Sequence, residues 1–114
     1  MKTKIVGDNA EAVVARFLQS DGFGILDRNW RTKVCEIDVI ARKKKIVYFI
    51  EVKYRGGLAQ GSGFEYIGPR KLNRLKFAVR VWCQNNNWEG DCRLVGAEVS
   101  GDDFQNIELI EIDQ

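Results

Sequence analysis

The sequence predicts an α/β fold: a mixed β-sheet with a central hairpin, flanked by helices, in the order αβββαββ. Three observations carry that prediction. Apolar residues recur at helical spacing in two separate stretches, once before residue 20 and once after Pro69. Between them lie two runs rich in β-branched and aromatic residues, joined by Lys43-Lys44-Lys45. Two further runs of strand character follow the second helical stretch. The chain has 114 residues, 45% hydrophobic and 30% charged, a globular mixture and a length for one domain spanning 1–114.

Asp8 or Asn9 is suited to cap a first helix that runs to about Ser20, with Ala10, Val13, Val14, Phe17 and Leu18 as its stripe. Asp21-Gly22 stops it, and a short extended segment, Gly24 to Trp30, follows. Val34 to Arg42 and Ile46 to Tyr54 form the hairpin. Residues 56–68 hold five glycines and read as a mobile loop. Pro69 opens a second helix, whose stripe is Leu72, Leu75, Ala78, Val79 and Trp82, and Asn85-Asn86-Asn87 ends it. Strands are expected at about Arg93–Val99 and Ile107–Ile112.

Composition narrows the chemistry. There is no histidine, so imidazole bases, Ser/His/Asp and Cys/His triads and imidazole zinc sites are excluded. Cys35, Cys83 and Cys92 are too few for a Cys₄ zinc site and odd in number for a disulfide framework, which suits a reducing cytoplasm. No apolar run approaches membrane-spanning length, and no secretory h-region follows Lys4, so a cytoplasmic protein with no membrane partner is expected. Carboxylates, lysines and arginines remain, a set suited to a hard divalent cation acting on phosphate. The net charge of +2 conceals an asymmetry. Residues 40–80 carry eleven Lys/Arg against two carboxylates, whereas residues 81–114 carry one Arg against eight. The basic stretch is either a polyanion-binding face or an ordinary solvated one.

In the later hairpin strand, Val47, Phe49, Glu51 and Lys53 share one face. The opposite face, Tyr48, Ile50 and Val52, is also apolar, so the strand is expected to be buried on both sides. Glu51 and Lys53 then continue a core-facing row, where charge is costly and needs a reason. In the earlier strand Glu36, Asp38 and Ile40 share a face. A two-residue loop at Lys43-Lys44 makes paired positions sum to 87, placing Asp38 opposite Phe49 and Glu36 opposite Glu51. Asp38, Glu51 and Lys53 then converge on one side; a sum of 89 preserves this, and a sum of 88 destroys it. Two such carboxylates suit Mg²⁺ or Mn²⁺, with the backbone carbonyl of Val52 as a further oxygen and Lys53 placed to orient an attacking water. The bland alternative is a Glu51–Lys53 ion pair at a strand end, with Asp38 in solvent.

Gly7-Asp8-Asn9-Ala10-Glu11, Asn29-Trp30-Arg31, Glu36-Ile37-Asp38-Val39-Ile40-Ala41, Phe49-Ile50-Glu51-Val52-Lys53-Tyr54-Arg55, and Lys71 with Arg74-Leu75 resemble the bacterial YraN-like family. That resemblance covers about residues 7–80. It implies a restriction-endonuclease-like fold, similar to archaeal Holliday-junction resolvases, with a PD-(D/E)xK nuclease site. Carried over by position, it implies Asp38 and Glu51 as metal-binding acids, Lys53 as the site lysine and Glu11 as the first-helix acid. The chain departs from the family at Cys35, where glycine is usual, and at Arg93-Leu94-Val95, which lacks an aspartate of the family's late strand.

Other residues keep two readings. Glu11 either reaches the metal through water or is an acid favourable to the helix dipole. Glu36 either backs the site acids or is a rim charge. Arg55, Lys71 and Arg74 either contact phosphates or lie on solvated faces. Tyr54, Tyr66, Trp30, Trp82 and Trp88 are expected to pack, and Cys35 to act as a small buried hydrophobe. The expectation is thus an Mg- or Mn-dependent endonuclease on DNA, with RNA left open and a homodimer suited to two cuts on one duplex. The alternatives are an idle nucleic-acid-binding module on the same fold, or a protein-interaction domain using the acidic tail.

Overall fold

The computed structural model describes residues 4–55 and 67–113, with side chains from Gly7 to Ile112. The element order is α1 (Lys4–Ser20), β1 (Gly24–Arg31), β2 (Glu36–Lys43), β3 (Ile46–Tyr54), α2 (Pro69–Asn85), β4 (Asp91–Ser100) and β5 (Asn106–Asp113). This is the expected αβββαββ order in one five-stranded sheet, β1-β2-β3-β4-β5. All neighbours are antiparallel except β3 and β4, which run parallel because α2 carries the chain back across the sheet. Most of the glycine-rich loop, with Glu65 and Tyr66, lies outside the described residues.

The helices cover opposite faces. α1 lays Ala10, Val14 and Leu18 on Val39, Ala41, Ile50, Val52, Ala97 and Val99. α2 lays Leu75, Ala78 and Trp82 on Ile37, Ile40, Val47, Phe49 and Leu94. Phe49 is fully buried and meets Trp82 edge to face, ring centroids 5.5 Å apart. β3 is therefore apolar on both faces, which is what its unbroken run Val47 to Ile50 requires. Trp30 and Trp88 pack beside the α2-side cluster, and Tyr54 packs edge to face on Phe104.

Two expectations need correction. α1 starts at Lys4, a turn before the expected Asp8/Asn9 cap. Gly7 is buried inside the helix while Asp8 and Asn9 lie exposed on it, so tertiary packing overrides the local capping signal. The hairpin turn is Lys44-Lys45, with Lys44 at φ +57, and β2–β3 pairs sum to 89 instead of 87. This register sets Ile40 against Phe49, both fully buried. The other would have set a carboxylate against that ring. Parity is preserved, so the face assignments along β3 stand.

Candidate active site

The β2–β3 ladder stops at Val39↔Ile50, leaving Glu36, Ile37 and Asp38 of β2 and the residues from Glu51 onward in β3 outside it. The cause is legible in the packing. Val39 and Ala41 belong to the α1-side core, but Ile37 and Ile40 both belong to the α2-side core. Strand alternation therefore slips at Asp38. A continued ladder would pair Val52 with Ile37. Instead, the Val52 amide donates to Asp38 Oδ2 at 2.8 Å. Asp38 thus sits in the seam where the strands part, and does not occupy the common face expected for it. The amide and carbonyl of one strand residue point the same way, so the Val52 carbonyl is directed into the same seam.

Glu51 and Lys53 follow Val47 and Phe49 onto the α2 side. Beside Glu51 in the parallel register is Gly96, which presents no side chain, and beside Lys53 is Glu98. α2 fills the space. Lys71 Nζ lies 2.7 Å from Glu51 Oε2, whose side chain is only 14% exposed. Lys71 is therefore turned inward onto a site acid, whereas Arg74 is exposed on the helix. Cys35 is half-buried beside this group; burial and then the Glu51 charge push its thiol up, and its Sγ donates to the Glu36 carbonyl oxygen at 3.6 Å.

Glu11 approaches Asp38 from the other helix. Among the described residues it is the one buried charged side chain, 7% exposed. Its pKa is pushed up to about 7, first by burial, then by the Asp38 charge and a hydrogen bond between the two carboxyl groups. Two carboxyl groups that close together hold one proton between them. Arg28 opposes the shift from 4.0 Å. The residue missed by the sequence reading is Asn29. Oriented to satisfy both neighbours, its amide nitrogen donates to Glu11 Oε1 at 2.8 Å and to Glu36 Oε2 at 3.1 Å. Asn29 holds φ +54, a conformation asparagine tolerates better than most residues. Glu36 also meets Arg31 at 3.5 Å, so it backs Glu11 through Asn29. The signal was present in Asn29-Trp30-Arg31, which carried the resemblance without a role. Arg55 follows β3, its amide donating to the Val99 carbonyl at 2.8 Å.

Among the described residues no three acidic or cysteine side chains cluster as a ready metal cage. The arrangement is instead Asp38 on the Val52 amide in the parted seam and Glu51 on the α2 side, the first hydrogen-bonded to the Glu11 carboxyl group and the second met by the Lys71 ammonium. Oxygen donors of this kind fit a hard divalent cation. Among the described residues, no helix is long and apolar enough to cross a membrane.

A five-stranded mixed sheet between two helices, with acids gathered where its central hairpin opens, defines an α/β protein with a carboxylate seam. Residues 10–112 match the group described as "Uncharacterised protein family UPF0102", and the chain belongs to this YraN-like family. A UPF0102 protein of Arthrobacter sp. (strain FB24) is 37% identical over 99 residues, covering 87% of this chain and 84% of the relative. One from Pseudarthrobacter chlorophenolicus is 34% identical over 112 residues (97% and 85%), and one from Dictyoglomus turgidum 39% over 85 residues (75% and 72%).

Proposed function

We propose that this protein is a divalent-metal-dependent nuclease that hydrolyses phosphodiester bonds in DNA, with Asp38 and Glu51 as the metal-holding acids. The observation that carries this reading is the parted β2–β3 seam, where Asp38 replaces a strand carbonyl as the acceptor of the Val52 amide. A strand pair gives up ladder bonds at a cost, and here the gain is a carboxylate beside a backbone carbonyl. Mg²⁺ or Mn²⁺ would supply an activated water and neutralise charge developing on phosphoryl oxygen. Asp38, Glu51 and the Val52 carbonyl would hold it. Lys53, on the Glu51 face, orients the water or meets the developing charge. Glu11 shares a hydrogen bond with Asp38 and would release its proton to solvent if Asp38 held a cation. Lys71 leaves Glu51 for a substrate phosphate, and Arg55 and Arg74 position the backbone on either side.

Cleavage of duplex, single-stranded and branched DNA with Mg²⁺ or Mn²⁺ tests the proposal. The expected result is metal-dependent cleavage by the wild type that Glu51→Ala with Lys53→Ala abolishes; equal cleavage by both proteins would sink it. One observation favours a second reading, an idle nucleic-acid-binding module: Lys71 already neutralises Glu51 at 2.7 Å. Salt-dependent DNA binding indifferent to Mn²⁺, with no cleavage, selects that reading.

A further inference from the structure

α2 carries Arg70, Lys71, Arg74, Lys76 and Arg80 and not one acidic residue. With Leu75, Ala78 and Trp82 buried against the sheet, the opposite side of the helix presents Arg70, Asn73, Phe77 and Arg80, all exposed, with Arg74 at its margin. Phe77 is 42% exposed, although α2 has a complete apolar stripe without it. Helical geometry puts Arg74 and Arg80 about 60° to either side of Phe77, each about 4.5 Å away along the axis. Arg70 lies almost directly in line with Phe77, two turns earlier. None of Arg70, Arg74 and Arg80 makes an ion pair among the described residues, whereas Lys71 is bound to Glu51.

We propose that the outer face of α2 binds single-stranded nucleic acid, with an unpaired base stacked on Phe77 and the flanking phosphates on Arg70, Arg74 and Arg80. Three facts select this occupant. Three exposed arginines on a helix without an acid complement a polyanion. An aromatic ring set between cations offers a base a sequence-tolerant platform, which a duplex with stacked bases cannot use. An anionic membrane is the poorer match, because the apolar stripe of α2 is spent on the sheet and one ring is too little to insert. The inference rests on the nucleic-acid partner of the proposed function but not on its hydrolytic chemistry, so it stands or falls without metal.

The experiment is fluorescence anisotropy of the full chain in EDTA with labelled oligo-dT, oligo-U and a DNA duplex. Vesicles containing anionic lipid and a polyglutamate peptide are parallel probes. Wild type should bind oligo-dT or oligo-U more tightly than the duplex; the better of the two identifies DNA or RNA. Phe77→Ala should weaken single-strand binding about tenfold with an unchanged salt slope, and Phe77→Trp should restore it. Arg80→Gln should lower the salt slope by about 0.7. Equal single-strand binding by wild type and Phe77→Ala, with the same melting temperature, would overturn the inference. So would duplex binding as tight as single-strand binding, or binding to vesicles or polyglutamate without the oligonucleotides. Loss of cleavage with Phe77-dependent EDTA binding intact defeats only the nuclease reading. Metal-dependent cleavage with Phe77-independent binding defeats only this one.

Discussion

α1 and α2 cover the two faces of one sheet with comparable apolar stripes, yet they meet the seam acids in opposite ways. From α1 comes a carboxyl group, Glu11, buried against Asp38 and kept partly protonated. From α2 comes an ammonium, Lys71, bonded to Glu51. Each acid on the sheet thus has its charge answered from a different helix, one by a proton and one by a cation. Both counter-charges can leave: the proton to solvent, and Lys71, which is 38% exposed, to another anion.

The variant expected to break the contrast most is Asp38→Ala. It removes the acceptor of the Val52 amide and the partner of Glu11 together. Asp38→Asn keeps an acceptor for that amide, so we expect it to fold while losing at least about 100-fold in Mn²⁺ affinity by titration calorimetry. Unchanged affinity would remove Asp38 from the proposed metal site.

Next in size is the pH dependence owed to Glu11. Its folded pKa of about 7 stands above the ordinary glutamate value of 4.5, so the folded state holds this proton more tightly than the unfolded chain. Its contribution to stability is full below about pH 4.5, falls as pH rises, and is lost above about pH 7. The loss is on the order of 3 kcal/mol at most. Metal-free urea melts between pH 5 and 8 should show this decline, and Glu11→Gln should flatten it.

On the other face, Lys71→Met leaves Glu51 unanswered in a mostly buried position. In EDTA it should cost about 1–3 kcal/mol. With its competitor gone, Glu51 should take Mn²⁺ more tightly than in the wild type, and added Mn²⁺ should recover the lost melting temperature. Failure of Mn²⁺ to recover it would mean that Lys71 and metal do not share Glu51. The smallest effect is expected at Asn29. Asn29→Gly keeps the backbone at φ +54 and loses the bridge to Glu11 and Glu36, while Asn29→Ala loses both. A difference of about 1 kcal/mol between the two in chemical denaturation would isolate the backbone cost.

Much of this architecture was legible in the chain. The β-branched run Ile46–Tyr54 marked β3 at both ends, and Pro69 with the asparagines after Gln84 bounded α2. Strand alternation grouped Glu51 and Lys53 with Val47 and Phe49, and α2 covers that face. The unreadable parts depend on contacts distant in sequence. The extra turn of α1 depends on where Gly7 packs. The register depends on Ile40 meeting Phe49 across the hairpin, and alternation gives no warning that it slips at Asp38. Lys71 appeared as one cation among several, and only the packing of α2 on the sheet sends it to Glu51. Asn29 bridges acids from two other elements, a relation that no local pattern encodes.

The bond from the Val52 amide to Asp38 has a spectroscopic consequence. A main-chain proton held by a carboxylate resonates according to that carboxylate's charge and company. The Val52 amide should therefore act as a built-in NMR probe. Its shift should move as the Glu11 carboxyl group beside Asp38 loses its proton, and move again if a cation binds in the seam. One peptide group would thus report both events without any label at the site.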